Sequence, residues 1–269
     1  MQLSFTKMNG AGNDFVLLDN RDGSVSLSTP EIARICDRHR GVGADGLLAV
    51  EPARHGADFR MRYYNADGGE ADMCGNGARC FARYARKFLG SDAPQVRFET
   101  EAGVIGATFD GDAVRIVMSD PHSHQAPSVL AVNGRPLEVH FLNTGVPHAV
   151  VFVDDLEAVD VVRDGAALRY HDAFAPKGTN ANFVAVTGPD AIAIRTYERG
   201  VEGETLACGT GVCASAILHH LRSGAPSPVA VRVRGGDILR VGFENTGSGF
   251  RNVTLTGPAD FVFDGTISL

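Results

Sequence analysis

Two copies of one short motif constrain the fold of this chain more than any other feature of its sequence. The first copy, CGNGARC, begins at Cys74, and the second, CGTGVC, begins at Cys208. Each copy is followed by a stretch with helical periodicity. Similarity that recurs at one offset is the signature of a duplicated structural unit. The 269 residues are therefore expected to form two copies of one fold rather than a single core.

The repeat extends upstream of both motifs. The segment YNAD precedes Cys74 as YERG precedes Cys208, and further upstream GADGLLAV corresponds to GTNANFVAV. At a still greater distance, GNDFV corresponds to GVPHA. Since the order and the spacing are shared, each copy is expected to run through strands, then a Cys-Gly-Xaa-Gly turn, then a helix. Two such copies that face each other would bring both turns to one cleft, where ligands commonly bind.

The duplication predicts two domains with a boundary in an irregular stretch of sequence. Residues 1–118 are expected to form the first domain and residues 119–261 the second. The boundary is placed at the segment SDPHSHQ, which contains proline and histidine and has no apolar periodicity. The closing segment, residues 262–269, is expected to return to the first domain as a strand.

Charge and composition exclude several classes of function. The net charge is −7 and Lys and Arg form no long run, so the chain has no electrostatic footprint for a nucleic acid partner. No window approaches the roughly 18 apolar residues of a membrane-spanning helix, and the first residues lack a signal-peptide pattern. A cytoplasmic protein with no membrane partner is expected. Five cysteines in such a chain indicate reduced thiols rather than a disulfide framework.

Short β-branched runs bounded by glycine, aspartate or proline predict the strands. These runs are residues 15–19, 46–50, 114–118, 149–155, 182–186, 229–234 and 253–257. A first helix is predicted over about residues 30–39, ahead of the apolar Ile32 and Ile35. The stretch Ser28-Thr29 offers an N-cap, and Pro30 is expected at the first helical position.

A helix is predicted directly after each cysteine motif. After CGNG, apolar residues between Ala78 and Leu89 recur at spacings of three and four, and Gly90 is expected to end this amphipathic helix. Its basic residues are assigned to the polar face: Arg79, Arg83, Arg86 and Lys87. After CGTG, the residues are apolar or small on nearly every side until Gly224. This second helix is expected to be buried all round.

A cysteine placed directly before a helix has distinctive chemistry. The unpaired backbone N–H groups and the positive end of the helix dipole lower the pKa of a thiol from about 8.5, so a thiolate becomes accessible near neutral pH. The same groups can hold an anion such as a substrate carboxylate. Two such sites on opposite sides of one carbon could remove a proton as thiolate and return one as thiol, which inverts the centre. Cys74 and Cys208 are therefore predicted to be two halves of one active site.

Other interpretations of the cysteines remain open at this point. The two motifs could be halves of a four-cysteine zinc site, although the spacings between their cysteines exceed the usual roughly two to four residues. A thiol-based metal or redox binding protein is a related alternative, but the sequence has no Cys-Xaa-Xaa-Cys pair. Cys36, Cys80 and Cys213 are expected to pack as small hydrophobic residues on helix faces. No metal site is predicted.

Five blocks of the sequence resemble, in order and spacing, the signature blocks of the diaminopimelate epimerases. They are MNGAGNDF, GVGADGLL, YNADGGEADMCGNGARC, GTNANFV and RTYERGVEGETLACGTGVCASA, and they extend from residue 8 to about residue 217. The resemblance implies an α/β (α+β) fold of two pseudo-symmetric domains, each a mostly antiparallel, mixed β-barrel around a central helix. It also implies a homodimeric isomerase of lysine biosynthesis that converts LL-diaminopimelate to meso-diaminopimelate without pyridoxal phosphate or another cofactor.

The resemblance assigns roles to particular residues. Cys74 and Cys208 match the acid and base pair, and His148 and Glu198 match neighbours that activate the thiols or bind the reacting amino group. Arg199 matches the residue that holds the distal carboxylate of the substrate. The full set expected to bind substrate is Asn13, Gly46, Asn65, Gly75, Asn76, Asn180, Glu198, Arg199, Gly209 and Thr210.

One position departs from the family pattern. Val146 lies in NTGVPHAV where the pattern more often has asparagine, and a valine side chain cannot donate a hydrogen bond to the distal end of a substrate. The loss of one buried partner can change which substrates an enzyme rejects. A cofactor-independent racemase of another amino acid, such as histidine, is therefore the alternative within the same fold.

Overall fold

The computed structural model of the chain describes residues 1–71 and 73–269, so Asp72, in the third block of the resemblance, lies outside the described residues. The described residues form two compact units. The first comprises Met1–Ile116 and Gly257–Leu269, and the second comprises Val117–Thr256. The corresponding boundaries predicted from the sequence lie after residue 118 and before residue 262.

Within the described residues, eight strands and two helices belong mainly to the first unit. The strands are β1 (Gln2–Gly10), β2 (Asn13–Asp19), β3 (Gly46–Glu51), β4 (Phe59–Asn65), β5 (Gln95–Thr100), β6 (Gly103–Asp110), β7 (Ala113–Val117) and β17 (Asp260–Ser268). The helices are α1 (Thr29–Cys36) and α2 (Gly75–Leu89). Neighbours pair in the order β17, β1, β2, β3, β4, β5, β6, β7. The β2/β3 and β4/β5 pairs are parallel and the others antiparallel.

The second unit repeats this plan. Its strands are β8 (His122–Val132), β9 (Arg135–Asn143), β10 (Pro147–Phe152), β11 (Asn180–Gly188), β12 (Ala191–Glu198), β13 (Gly203–Thr205), β14 (Val229–Arg232), β15 (Ile238–Asn245) and β16 (Phe250–Gly257). Its helices are α3 (Val161–Arg169) and α4 (Gly209–Ser223), with a short 3₁₀ turn at Asp172–Phe174. Neighbours pair in the order β8, β9, β10, β11, β12, β14, β15, β16, and β13 forms a hairpin with β12.

The two units share one topology, which confirms the predicted succession of strands, cysteine turn and helix in each copy. When β17 is set against β8, the parallel pairs β2/β3 and β4/β5 correspond to β10/β11 and β12/β14. Parallel neighbours need a crossover connection, usually a helix. The helices α1 and α3 connect the first parallel pair of each unit, and α2 and α4 connect the second.

The helix that follows each cysteine motif is enclosed by its own sheet. In α2 the buried side extends from Asn76 to Ala85, and the helix packs against β1 to β5. In α4 every residue from Gly211 to His219 is buried. This confirms the prediction of a helix that is buried all round. A sheet around a central helix places the N-terminus of that helix near one end of the strands.

Two residues of α2 lie on the opposite side from their prediction. Arg79, assigned to the polar face, is 0% exposed because the first turns of α2 lie inside the sheet and backbone carbonyls accept its N–H groups. Leu89, assigned to the apolar stripe, is 43% exposed. It belongs to the last turn of the helix, which also carries the exposed Lys87 and lies at the surface.

The helix α1 is shorter than predicted. It ends at Cys36 because the backbone of Asp37 is extended and its carboxylate accepts hydrogen bonds from the backbone N–H groups of His39 and Arg40. Ser28 is the N-cap, and Pro30 is the second residue of the helix, whereas the sequence predicts it at the first position.

The segment SDPHSHQ also differs from its prediction as an irregular stretch. The strand β8 begins within it, at His122, and pairs with β9. The register shifts between His122 and Gln125, and most side chains of β8 are exposed. Exposure on both faces removes the apolar alternation by which a strand is recognised in a sequence.

The apolar run in β2 is explained by burial on both faces of the sheet. Val16 and Leu18 pack with Ile32 of α1. Successive side chains of a strand point to opposite faces, and the ring of Phe15 lies 3.4 Å from the position that a Cβ on Gly77 of α2 would occupy. The sheet of the first unit therefore lies between α1 and α2.

Candidate active site

The predicted site residues of the first unit lie at one edge of its sheet. Because β2 and β3 are parallel and β3 and β4 antiparallel, the first residues of β2 and β3 share an edge with the last residue of β4. Those positions are occupied by Asn13, Gly46 and Asn65. Gly46 and Asn65 are direct partners across β3 and β4.

Cys74 lies where the sequence placed it, at the start of a helix. It is the N-cap residue of α2, it has an extended backbone, and it is half-buried. Gly75 and Asn76 form the first turn. The backbone N–H groups of such a turn have no intrahelical partner and carry the positive end of the helix dipole. The Cys74 thiol is thus next to a set of donors suited to an anion.

Two amide side chains connect the first turn of α2 to the edge of the sheet. Asn76 donates from Nδ2 to Oδ1 of Asn13 over 2.7 Å. Asn13 in turn donates from Nδ2 to Oδ2 of Asp45 over 2.9 Å. Because an ionised carboxylate only accepts, Asp45 fixes the orientation of the Asn13 amide and, through it, that of Asn76.

A buried arginine holds the other end of this chain of hydrogen bonds. Arg79 donates to Oδ1 of Asn76 over 2.9 Å. Its guanidinium also donates to the backbone carbonyls of Gly10, Gly75 and Pro258. A guanidinium only donates, so the cation at one end and the carboxylate at the other impose the same orientation on both amides.

A cluster of charges holds Asp45 in place. Arg38 contacts Oδ1 of Asp45 at 2.8 Å and Oδ1 of Asp14 at 2.7 Å, and Lys7 contacts Asp14 at 2.7 Å. Burial raises the pKa of Asp14, but the hydrogen bonds from Arg38 and Lys7 outweigh it and lower that pKa to about 2. Asp14 is therefore ionised at neutral pH and anchors both basic side chains beside the sheet edge.

Gly46 is required by a close approach of two strands. A Cβ at this position would lie 2.6 Å from the carbonyl oxygen of Tyr64 and 2.8 Å from Cε2 of Tyr63. Contacts under 3 Å with a backbone atom cannot be relieved by a side-chain movement. Its partner Asn65 is exposed at the end of β4. A side chain at position 46 would therefore separate β3 from β4.

The corresponding edge of the second unit holds the second set of predicted residues. His148 is at the start of β10, Asn180 is the first residue of β11, and Glu198 is the last residue of β12. His148 and Asn180 are partners across the parallel β10/β11 pair. Cys208, 7% exposed, is the N-cap residue of α4, as predicted.

The loop before β10 is tied to the first turn of α4. The hydroxyl of Thr144 donates to the backbone carbonyl of Thr210 over 2.9 Å, and the backbone N–H of Thr144 donates to the carbonyl of Val146 over 3.2 Å. The Thr210 hydroxyl lies 3.6 Å from the sulfur of Cys208. Val146 is therefore held in a loop that contacts the helix start next to the second thiol.

Asn180 links β11 to the segment that carries Arg199. Its Nδ2 donates to the carbonyl of Pro147 over 3.0 Å, and its Oδ1 accepts from the backbone N–H of Arg199 over 2.8 Å. The guanidinium of Arg199 donates to the carbonyl of Lys177 over 3.2 Å. Asn180 thus fixes the backbone at Arg199, while its own side-chain amide is engaged within the unit.

Burial changes the ionisation of two groups in this second cluster. It raises the pKa of Glu198, which a hydrogen bond from the Thr205 hydroxyl at 3.0 Å opposes. It lowers the pKa of His148 to about 3, with a smaller contribution from the positive charge of Arg199. His148 is 0% exposed. The imidazole is therefore neutral at physiological pH.

The described residues contain no group of three or more His, Cys, Asp or Glu side chains arranged to hold a metal ion. Within the described residues, the five cysteines form no disulfide bond. No helix of residues 1–71 and 73–269 is long and apolar enough to cross a membrane; α2 and α4 have 15 residues each, against the roughly 20 that a span requires. A cavity of about 680 Å³ in the first unit lies along β1 and β17, and none of the predicted site residues lines it.

The sequence matches a known family over most of its length. Residues 5–124 and 140–262 match the family described as diaminopimelate epimerase. The chain is 45% identical to a diaminopimelate epimerase of Hydrogenobaculum sp. (strain Y04AAS1), over 98% of both chains. It is 43% identical to one of Aquifex aeolicus (strain VF5), over 99% of this chain and 98% of that one. This chain belongs to the diaminopimelate epimerase family.

The fold of this family member is also found in more distant proteins. A crystal structure of a Bacillus anthracis phenazine biosynthesis protein of the PhzF family superimposes with a TM-score of 0.74. The alignment covers 100% of both chains at 16% sequence identity. At this identity the likeness bears on the fold alone, and it supports the predicted two-copy α+β architecture.

The predicted residues fall into two clusters, one in each unit. The first contains Asn13, Gly46, Asn65, Cys74, Gly75 and Asn76, and the second contains His148, Asn180, Glu198, Arg199, Cys208, Gly209 and Thr210. Three further residues contact these clusters and are not among those predicted from the sequence: Asp45, Arg79 and Asn182. The sequence does point to Asn182. It follows Asn180 by two residues in β11, so the two side chains lie on the same face of the sheet.

Proposed function

We propose that this chain converts LL-diaminopimelate to meso-diaminopimelate without pyridoxal phosphate, by a mechanism in which two cysteines act as acid and base. Membership of the diaminopimelate epimerase family supports the substrate and the reaction. The observation that carries the mechanism is the equivalent position of Cys74 and Cys208, each the N-cap of the central helix of its unit. The backbone N–H groups and the positive end of the helix dipole at such a position stabilise a thiolate over a thiol, and they bind anions.

In the proposed reaction, the thiolate of one cysteine removes the proton from the α-carbon, and the thiol of the other delivers a proton to the opposite face. One C–H bond breaks and another forms, so the product is the opposite epimer and the two sulfurs exchange protonation states. Neither sulfur is oxidised. Negative charge grows on the substrate carboxylate as the proton leaves, and the backbone N–H groups of the two helix starts stabilise it.

The other predicted residues are proposed to hold the substrate. The first turns of the two helices bind the reacting carboxylate, through Gly75, Asn76, Gly209 and Thr210. The edge residues Asn13, Gly46, Asn65 and Asn180 surround the rest of the molecule, and Arg199 pairs with the distal carboxylate. Arginine suits this role because its guanidinium can form two parallel hydrogen bonds with a carboxylate. Glu198 is proposed to accept hydrogen bonds from the reacting amino group.

The test is epimerisation of LL-diaminopimelate in deuterated water, with no added cofactor. Early in the reaction, the meso product is expected to carry deuterium at the inverted carbon while the recovered LL isomer carries none, because each face has its own acid or base. Cys74→Ser and Cys208→Ser are each expected to lower the rate by at least about 100-fold. Cys36→Ala is the control, because Cys36 is the last residue of α1 and packs in the core of the first unit.

Two results would reject the two-thiol assignment. One is near-normal turnover in either serine variant. The other is label that enters recovered LL-diaminopimelate as fast as it enters the product, since this indicates one base that exchanges protons on a single face.

A racemase of another amino acid is the second candidate, and Val146 is the residue that favours it. Val146 lies in the loop tied to the start of α4 and replaces a hydrogen-bonding side chain of the family pattern. A panel of amino acids with and without a distal carboxylate separates the two candidates. We expect a clearly higher kcat/KM for diaminopimelate than for the other amino acids. An equal kcat/KM for a substrate without the distal carboxylate would support the alternative.

We also propose a cytoplasmic homodimer. Exposed apolar side chains on β17, at Phe261, Val262 and Phe263, are the kind of surface that a second copy would cover. Sedimentation velocity tests the oligomeric state, and a monomer at micromolar concentration would contradict this part of the proposal.

A further inference from the structure

The side-chain amide of Asn182 has only one possible orientation. Asn182 lies in β11 and is 0% exposed. Its Nδ2 lies 3.0 Å from the backbone carbonyl of Ala149 in β10. A carbonyl oxygen can only accept a hydrogen bond, so the amide atom that faces Ala149 must be the nitrogen. The hydroxyl of Thr196 donates to the other amide atom, Oδ1, over 3.0 Å.

This orientation determines the tautomer of His148. The same Nδ2 atom of Asn182 lies 3.2 Å from Nδ1 of His148. An amide nitrogen can only donate, so Nδ1 must be the acceptor and carries no proton. A neutral imidazole has one proton, and that proton must then be on Nε2.

The Nε2–H group of His148 is buried without a hydrogen-bond partner among the described residues. Buried polar atoms in folded proteins are almost always paired, so an unpaired one calls for an explanation. The location of the ring supplies one. Its Cε1 atom, which adjoins Nε2, lies 3.3 Å from the position that a Cβ on Gly211 would occupy. The unpaired donor is therefore near the first turn of α4, directly after Cys208.

The charge state of the ring agrees with this tautomer. Burial lowers the pKa of His148 to about 3, and the positive charge of Arg199 contributes in the same direction. The ring thus remains neutral through the physiological range. With Nδ1 occupied as an acceptor and Nε2 protonated, neither nitrogen is available to take a proton from a thiol or from substrate.

We infer that His148 acts as a neutral hydrogen-bond donor, through Nε2–H, to a carboxylate oxygen of the bound amino acid, and that Asn182 is the positioning residue that sets this tautomer. The inference rests on the proposed function for the identity of the ligand. The first turn of α4 supplies backbone N–H groups to the same kind of anion, and the imidazole adds a side-chain donor beside them. A donor of this kind stabilises the charge that develops on the carboxylate as the α-proton leaves.

The tautomer can be measured without any turnover. In ¹⁵N-histidine-labelled protein, two-bond proton–nitrogen correlations distinguish the protonated from the unprotonated ring nitrogen, and His148→Gln identifies the signals of this ring among the nine histidines. The wild-type protein at pH 7 is expected to show an unprotonated Nδ1 and a protonated Nε2. A protonated Nδ1 would overturn the inference, whether or not the chain epimerises diaminopimelate.

Two substitutions test the role of Asn182 by the same measurement. Asn182→Asp replaces the donor with an acceptor, so the proton is expected to move to Nδ1. Thr196→Val is the matched control: it removes the hydrogen bond to Oδ1 but leaves the carbonyl of Ala149 to orient the amide, so the tautomer should not change. A protonated Nε2 in the aspartate variant would exclude Asn182 as the residue that sets the tautomer.

A pair of substitutions at His148 separates donation from proton transfer. Glutamine can place an amide N–H near the position of Nε2 but cannot act as a base, whereas leucine does neither. His148→Gln is expected to retain kcat within about tenfold of the wild type, while His148→Leu loses about 10- to 100-fold more, as for removal of one donor to a developing charge. If both variants fold, by circular dichroism, and are equally inactive, the donor role is wrong.

Discussion

Each unit has a buried polar side chain near the helix start that carries its cysteine. The charge of this side chain differs between the two units. Arg79, a permanent cation, is five residues after Cys74 in α2, and the corresponding position of α4 is Cys213. In the second unit a buried titratable group near the first turn of α4 is His148, which is neutral. The two copies have therefore kept one topology but diverged in the electrostatics around their thiols.

We predict that Arg79 contributes more to stability than any other basic residue of α2. Arg79→Met removes the donors of four hydrogen bonds and leaves buried acceptors unpaired, so the free energy of unfolding should fall by about 3 kcal/mol or more. Arg83→Met, which alters a half-buried side chain in the next turn, should cost about 1 kcal/mol or less. Urea denaturation measures both, and equal losses would contradict the prediction.

We predict a pH dependence of stability from His148. The pKa falls from 6.5 in the unfolded chain to about 3 in the folded protein, so below pH 6.5 the unfolded state binds a proton that the folded state does not. The free energy of unfolding should therefore fall as the pH drops from 6.5 towards 3, at up to about 1.4 kcal/mol per pH unit from this group. Urea denaturation of the wild type and of His148→Gln at several pH values isolates the contribution, because glutamine does not titrate. If the free energy of unfolding depends on pH in the same way in both proteins, the ring is not buried as a neutral group.

At this scale the sequence predicts the placement of Cys74 and Cys208 at helix starts, but not the side chains packed around them. The two placements are predictable because the glycine-rich context of the cysteines occurs twice. Arg79 was misplaced because helical periodicity records the polarity of a side chain and not the carbonyls that can satisfy it. Asp45 and Asn182 act through hydrogen bonds between elements that are distant in the sequence, and no local pattern predicts such contacts.

At the scale of elements, the first turns of α2 and α4 carry glycine at equivalent positions for different reasons. A Cβ on Gly211 would lie 2.4 Å from Oδ1 of Asn182, so this part of α4 is packed against β11. A Cβ on Gly77 would meet the Phe15 ring at 3.4 Å and Cβ of Cys74 at 3.6 Å, which are ordinary contact distances. Of these two positions, only Gly211 in α4 requires glycine to avoid a steric clash.

We predict opposite effects of alanine at these two positions. Gly211→Ala should destabilise the protein and lower epimerase activity at least about tenfold, because the new methyl group displaces the amide of Asn182 and with it the ring of His148. Gly77→Ala should be neutral or stabilising by up to about 1 kcal/mol, since alanine is the better helix former. Thermal unfolding and initial rates of both variants test this. Greater harm from the substitution at Gly77 would contradict it.

The elements that could be predicted from the sequence were those with a strong local signal. The runs 15–19, 46–50 and 182–186 lie within β2, β3 and β11, and they stand out because most of their residues are apolar and buried. β8 was missed because its exposed polar side chains carry no alternation. The end of α1 differs from its prediction because the helix stops where the Asp37 carboxylate accepts hydrogen bonds from the backbone N–H groups of His39 and Arg40, and not at a change of periodicity.

At the scale of the whole molecule, the proposed mechanism requires that both units act on one substrate. Oxidation tests this requirement. Without substrate, mild oxidation is expected to form a disulfide between Cys74 and Cys208 and to abolish activity, provided that their Cα atoms come within about 7 Å. Peptide mapping by mass spectrometry identifies the bond, and a reductant should restore activity. Full activity after exhaustive oxidation, with both thiols still open to alkylation, would contradict a shared site.

The return of β17 to the first unit has a consequence for how the chain is made. β17 pairs along the length of β1, and the terminal amine of Met1 donates to the carbonyl of Leu269 over 2.9 Å. Ribosomes release domains in the order in which they are encoded, and domains generally fold as they emerge. Here Val117–Thr256 is translated before β17, the strand that completes the N-terminal unit. The unit whose first strands are made first is therefore completed only after every residue of the second unit has been made.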